Sequence, residues 1–269
     1  MNILRKRIRN AGGEILRGDC HMTANGNDLV VVCHGFGKTW NKNRPLFRDI
    51  CAAFQTCGIN AFRFSFSGLS PSGGKAEDSS YSKQKSDLAA VIDYFSKKLR
   101  PDTTAVVAHS FGSAAAVLQA AEDPRIRQLL LVAPRLKPRR SIITKSIEEY
   151  CGNKLEEIFA SDTRSFPVGP VVIGGIEYWF SRKYVEDLLH TDLLATIAKI
   201  RIPITIIRGE ADKRISEEET LEAVKRNPLV SYVRLAGSGH SFGSPAQRKS
   251  LCSALLNAYN THLSINPRL

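Results

Sequence analysis

The segment TTAVVAHSFGSAAA, residues 103–116, joins an apolar β-branched run to an alanine-rich helical run through a serine. Ser110 stands at the junction, with the small residues Ala108 and Gly112 two positions before and after it. A strand that turns sharply into a helix needs small residues there, because the two backbones approach closely. The turn would lift the hydroxyl above the sheet and aim the first helical N–H groups at a reacting carbonyl. The chemistry this suits is nucleophilic acyl transfer. A serine that merely caps the helix is the other reading of the same residues.

A serine hydroxyl is a weak nucleophile and needs a base, which in turn needs an orienting acid. Two later apolar runs end in such residues. Residues 202–208 lead into Gly209, Glu210, Ala211 and Asp212; residues 230–235 lead into Ala236, Gly237, Ser238, Gly239 and His240. Taken singly, Asp212 could be a loop carboxylate capping the helix that begins near Ser216, and His240 a solvated loop histidine. Taken together, serine, acid and histidine follow one another, each directly after a separate strand, which is the chain order of one known triad architecture. The run at 28–33 ends in His34, Gly35, Phe36 and Gly37. That turn could present a backbone N–H to an oxyanion, or be a plain strand-to-helix turn. In the catalytic reading, Ser110 is the nucleophile, His240 the base and Asp212 its orienting partner, with the N–H groups of Phe36 and Phe111 binding the oxyanion. His109 is expected to point away from the site and His34 to be structural. His21, His190 and His262 carry no contextual signal.

These residues need a scaffold, and the pattern supplies one. Residues 3–9 and 14–21 flank Gly12 and Gly13 as an N-terminal hairpin. Apolar strands are expected at 28–33, 59–66, 103–109, 126–133, 202–208 and 230–235. Helices are expected at 45–57, 82–99, 111–121, 217–226 and 245–262. In the second of these, Leu88, Val91, Ile92, Phe95 and Leu99 fall at helical spacing. Continuous apolar strands alternating with amphipathic helices indicate a mostly parallel central sheet covered on both faces.

Residues 134–199 interrupt the alternation and are too long for a simple connection. They contain an amphipathic stretch at 141–159, a Gly-, Pro- and Val-rich stretch at 166–176, an aromatic stretch at 177–184 and two short helices at 181–189 and 192–198. The expected organisation is a core of 1–133 and 200–269 with 134–199 inserted as a cap above the strand ends, where ligands bind on such sheets. An extra helical hairpin remote from substrate is the alternative. Trp179, Tyr178, Phe180, Phe166 and Ile173 are candidate pocket walls, or else pack the cap's own core. The cap begins with Arg135, Lys137, Arg139 and Arg140. These could meet an acidic substrate or a carrier's phosphopantetheine, or form a solvated loop.

Composition excludes several classes. Of the 269 residues, 43% are hydrophobic and 24% charged, as in globular proteins. No apolar run approaches the ~18 residues that span a bilayer, and no apolar signal core follows the basic start. The formal net charge of +12 is diffuse; Arg5, Lys6, Arg7 and Arg9 read as a charged edge strand, and no nucleic-acid motif accompanies them. The six cysteines lack metal-ligand spacing and read as buried, reduced thiols of a cytoplasmic protein. Cys51 and Cys57 fall in one helical region, too far apart along it to bridge.

Nearly the whole chain resembles the α/β-hydrolase superfamily, and within it the cinnamoyl/feruloyl esterase, monoacylglycerol lipase and serine-aminopeptidase-like group. Val30 to Phe36 is similar to that group's oxyanion strand and turn, and Phe62 to Gly68 resembles its FRFDFSGHGxS segment. Glu77 to Gln84, with Asp87, Leu88 and Val91 to Tyr94, resembles its next helix, and Ile202 to Asp212 its acid-bearing strand. Ser65 stands where the group has Asp, Leu69-Ser70-Pro71 replaces its His-Gly step, and Ala108 replaces Gly. The resemblance implies an α/β-hydrolase fold with an inserted cap and a serine hydrolase acting on a small-molecule carboxylic ester. Acyl thioesterase or acyltransferase action on a carrier- or CoA-bound substrate would use the same triad. A non-catalytic binding protein is disfavoured by the intact Ser, Asp and His. No metal, organic cofactor, nucleic acid or stable membrane insertion is expected; the oligomeric state, a homo-oligomer included, stays open.

Overall fold

Alternation along the strands decides which layer each side chain serves. In the computed structural model, which describes residues 2–24, 26–37, 45–161 and 165–265, the chain opens with β1 (Asn2–Arg9) and β2 (Ile15–Met22). It continues through β3 (Leu29–Cys33), α1 (Pro45–Thr56), β4 (Asn60–Phe64), α2 (Tyr81–Lys98), β5 (Thr104–His109), α3 (Gly112–Ala120) and β6 (Ile126–Val132). After β6 the chain makes a long excursion before it returns to the sheet. Leu29, Val31 and Cys33 of β3, Val106 and Ala108 of β5, and Leu129 and Leu131 of β6 pack with α2 and α3. Their neighbours Val30, Val32, Ala105, Val107, Leu130 and Val132 pack on the other face with α1. Every one of these is under 2% exposed, so both faces are dry. At about 1.5–3 kcal/mol per buried aliphatic side chain, this two-sided burial dominates the stability.

The excursion between β6 and the next sheet strand contains α4 (Ile142–Cys151), α5 (Leu155–Ala160), β7 (Val168–Ile173), β8 (Ile176–Phe180), α6 (Arg182–His190) and α7 (Leu193–Lys199). The sequence pattern gave helices here but no strands; β7 and β8 form a separate antiparallel hairpin turning at Gly174 and Gly175. Its outward face carries Val172, Glu177 and Trp179, so its alternation is broken by apolar residues facing solvent. Asp187 of α6 accepts from the backbone N–H and hydroxyl of Ser82, both at 2.9 Å, and ties the excursion to the first turn of α2. The chain then returns through β9 (Ile204–Gly209), α8 (Glu217–Arg226), β10 (Val230–Leu235) and α9 (Pro245–Ile265).

The main sheet, counted over the described residues, has eight strands in the order β1-β2-β4-β3-β5-β6-β9-β10. β1 and β2 pair antiparallel and β2 meets β4 antiparallel; every pairing from β4 to β10 is parallel. This is the α/β-hydrolase arrangement the sequence implied. β1 is an edge strand, and Arg5, Arg7 and Arg9 on it are exposed. No helix among the described residues is long and apolar enough to cross a membrane. All six cysteines are free thiols, but the expectation of uniform burial fails: Cys57 is exposed just past the end of α1, and Cys151 and Cys252 are half-buried.

His21, in the middle of the antiparallel strands, is buried. Burial, and then the charge of Arg63, push its imidazole from 6.5 down to about 4, against a hydrogen bond to the Gln55 side chain. A proton therefore binds the unfolded chain first. His21 favours the fold fully above about pH 6.5, and the benefit is lost as pH falls towards about 4, an amount of about 3 kcal/mol. Urea midpoints measured across that range should fall less steeply in His21→Gln than in the parent. Parallel curves would remove His21 as a contributor.

Candidate active site

The three residues singled out by chain order meet at the ends of β5, β9 and β10. Ser110 follows β5 with φ +55°, a left-handed backbone that a non-glycine residue adopts under strain. Three backbone bonds hold it there. Its N–H donates to Val132 at 2.9 Å, and its carbonyl accepts from Ser113 at 3.1 Å and from Arg135 at 3.3 Å. Gly112 has a steric reason: a Cβ there would lie 2.3 Å from the carbonyl oxygen of His34, so α3 starts directly against the turn after β3. Gly209 plays the same part on the acid side, where a Cβ would lie 2.2 Å from the Ser238 carbonyl oxygen. That contact lets the loops carrying Asp212 and His240 touch.

The side chains form one hydrogen-bonded line. His240 Nδ1 lies 2.8 Å from Asp212 Oδ2, and His240 Nε2 lies 3.0 Å from Ser110 Oγ. With a carboxylate on the Nδ1 side, Nδ1 carries the proton and Nε2 is left to accept from the serine hydroxyl. The second carboxylate oxygen of Asp212 accepts from the N–H groups of Arg214 at 2.7 Å and Ile215 at 3.1 Å. Burial would raise this carboxyl, but the hydrogen bond and charge of His240 and the two backbone donors outweigh it and hold the group below its ordinary value. All three residues are under a tenth exposed. Glu210, two residues from the acid, turns instead to Arg234 at 3.1 Å on the surface.

The turn after β3 faces this line. Gly35 packs on Ser110, a Cβ there meeting the serine Cβ at 3.1 Å. His34 Nε2 accepts from the N–H of Phe66 at 3.1 Å, and its Nδ1 lies 2.9 Å from the Gly35 carbonyl. The acceptor role of Nε2 places the proton on Nδ1, which donates to Gly35 and fixes the turn, so His34 is structural as the sequence suggested. The rings of Phe36 and Phe111 lie 5.7 Å apart, which brings the two residues proposed as amide donors together. Among the described residues, no group of three His, Cys, Asp or Glu side chains could hold a metal ion.

Beside them opens a cavity of about 170 Å³ lined by Gly35, Phe36, Leu69, Phe111, Tyr178, Trp179, Phe180 and Tyr184, with Ser79, Gln84 and Glu177 as polar members. Tyr178 and Phe180, from β8, pack on Phe36 at 4.7 and 6.4 Å between ring centroids. Trp179 contributes to the wall while remaining 41% exposed, because alternation turns it to the outer face of the hairpin. Phe166 is a correction: it is absent from this lining and lies under the Arg182 guanidinium, 5.5 Å away, which also covers Phe159 at 5.0 Å. Ile173, at the hairpin turn, is likewise outside the lining. Leu69, Ser79, Gln84 and Tyr184 are pocket residues that the sequence does not mark as such; Leu69, Ser79 and Gln84 come from the connection between β4 and α2 and the first turn of α2, which are legible only as family-like segments.

Of the basic residues at 135–140, Arg139 and Arg140 are exposed, as in a solvated loop, whereas Arg135 is buried and Lys137 half-buried. Arg135 is buried and pairs with Glu219 at 2.6 Å. Glu219 also accepts from the N–H groups of Leu136 and Lys137. Lys137 bridges Glu218 at 3.1 Å and Glu222 at 2.6 Å, Arg139 pairs with Glu156, and Arg140 lies 3.6 Å from Glu218. Glu218, Glu219 and Glu222 of α8 supply most of these partners. His109 also departs from expectation: its ring lies on the far face of the sheet but turns back towards His240.

The family described as serine aminopeptidase, S33, matches residues 24–163, just over half of the chain. No curated protein matches the sequence. Among solved structures, the chain is similar to Est1E from Butyrivibrio proteoclasticus with ferulic acid bound, at 18% identity and a TM-score of 0.76, covering 96% of this chain and 99% of that one. It is similar to the α/β hydrolase GrgF from a Penicillium species, at 18% identity and a TM-score of 0.75, over 98% and 100%. The esterase domain of a Rhodothermus marinus protein matches at 19% identity and a TM-score of 0.70, over 95% and 96%. At these identities the likeness is one of fold.

Gly112→Ala tests the close approach that seats the serine. The added methyl meets backbone, which cannot yield as a side chain end could, so a stability loss of about 1–3 kcal/mol is expected in urea unfolding. A midpoint equal to the parent's would show that the helix start is not sterically set.

Proposed function

The chain belongs to the serine aminopeptidase, S33, family of α/β-hydrolase enzymes, and from that premise we propose that it is a serine hydrolase cleaving a carboxylic ester through an acyl-enzyme. The observation that carries the reading is the buried line Asp212–His240–Ser110, with both links at hydrogen-bond length. Ser110 Oγ attacks the ester carbonyl as His240 Nε2 takes its proton, and Asp212 holds the imidazole in the required tautomer. The N–H groups of Phe36 and Phe111 bind the tetrahedral oxyanion, each donor lowering the barrier by about 3–4 kcal/mol. His240 returns the proton to the leaving alcohol, and water, activated the same way, releases the acid.

Residues 134–199 act as a cap whose β8 closes one wall of the pocket. The aromatic walls suit an uncharged aryl or short apolar acyl group; ferulic acid, bound in the Est1E structure, is of this kind. A CoA- or carrier-borne thioester would bring phosphates towards a cap whose Lys137 and Arg139 already have acidic partners and a pocket rim that carries Glu177. A neutral ester is therefore favoured over a thioester.

Kinetics with p-nitrophenyl esters and acyl-CoA substrates test the assignment. Ser110→Ala should abolish turnover of the esters, and Asp212→Asn should lower kcat by ~10³–10⁴. Glu210→Gln should stay within about threefold of the parent, because its carboxylate is a surface partner of Arg234. The reverse ranking of the two carboxylates, or faster turnover of acyl-CoA than of neutral esters, would contradict the reading.

A further inference from the structure

His109 is the last residue of β5, and strand alternation puts its ring on the α1 face, opposite Ala108. It is 1% exposed, with the Phe47 ring edge-on at 6.0 Å. From there its Nε2 reaches the main-chain oxygen of His240 at 2.9 Å, and the two imidazole centroids lie 5.1 Å apart. A carbonyl oxygen accepts, so Nε2 carries the proton and donates. On the other side, a Cβ at Gly35 would lie 3.1 Å from His109 Nδ1, so the ring also backs the turn that bears Phe36.

We propose that His109 is a positioning residue, whose Nε2–H holds the main chain of His240 so that His240 Nε2 meets Ser110 Oγ. The residue next to the nucleophile thus fixes the base, although the two are 131 positions apart in the chain. The loop around His240 has other anchors: Phe242 is fully buried, and Gly209 packs on Ser238. Those anchors set the loop's place on the molecule. The His109 bond acts on the carbonyl of the base itself, where a small rotation of the peptide swings the ring. A base misplaced by about 1 Å costs rate steeply while leaving substrate binding intact.

This proposal rests on the reading of Ser110 and His240 as nucleophile and base. The test compares His109→Met, which fills similar space without a donor, with His109→Gln, whose side-chain N–H can take the place of Nε2–H. With a p-nitrophenyl ester, His109→Met should lose at least tenfold in kcat with KM within twofold. His109→Gln should stay within about threefold of the parent, and phosphonylation of Ser110 by a fluorophosphonate should slow in the same proportions. Equal kcat in the Met and Gln variants, or a loss expressed in KM, would overturn the positioning role. Should His109→Met not fold, His109→Gln against His109→Glu carries the same test, since the two match in size and differ in donating or accepting; equal kcat overturns the proposal there too. Ser110→Ala run alongside separates the two readings. Turnover surviving in it removes the nucleophile assignment and this proposal with it, whereas an inactive Ser110→Ala beside equal Met and Gln variants removes the positioning role alone.

Discussion

The left-handed backbone at Ser110 is the constraint on which the rest of the site depends. A non-glycine residue held at φ +55° costs on the order of 1–3 kcal/mol, and persists only where its surroundings leave no alternative. Here they are the flanking strand β6, which accepts the Ser110 N–H, the helix α3, which starts hard against the His34 carbonyl, and Arg135, whose N–H caps the serine carbonyl. The strain does something specific. It points the hydroxyl out of the sheet and towards the loop from β10, where His240 waits at 3.0 Å.

Around that turn the remaining loops are tied to one another and to the strand ends. His34 spans from Phe66 to Gly35, Gly209 lets the loops of Asp212 and His240 touch, and Arg208 reaches the carbonyls of Asp212 and Ile215. Glu219 gathers Arg135, Leu136 and Lys137 at the start of the excursion, so the base of the excursion and the serine share one anchor. The hairpin then lays Tyr178 and Phe180 on Phe36. The turn proposed to bind the oxyanion and the pocket wall meet at that phenylalanine.

Much of this was legible in the sequence, for identifiable reasons. Strands buried on both faces read as unbroken apolar runs, and β10 and α8 fall at the expected positions, 230–235 and 217–226. Ser110 and Asp212 are legible because each follows such a run, β5 and β9, and His240 because it follows the edge strand β10 in a Gly-rich loop. The hairpin β7–β8 was missed because its outward face bears Val172 and Trp179, which erase the alternation that marks a half-exposed strand. No local pattern announces the pairing of Arg135 with Glu219, 84 positions on in α8. Nor does one announce the bond from His109 to His240, 131 positions apart.

The proposed chemistry requires that Ser110 be the residue that becomes acylated. The most direct measurement is to incubate the protein with a fluorophosphonate, digest it and locate the modified residue by mass spectrometry. One phosphonyl group per chain, on the peptide carrying Ser110, is the predicted result. Modification of another residue, or none under conditions where the protein turns over esters, would contradict it.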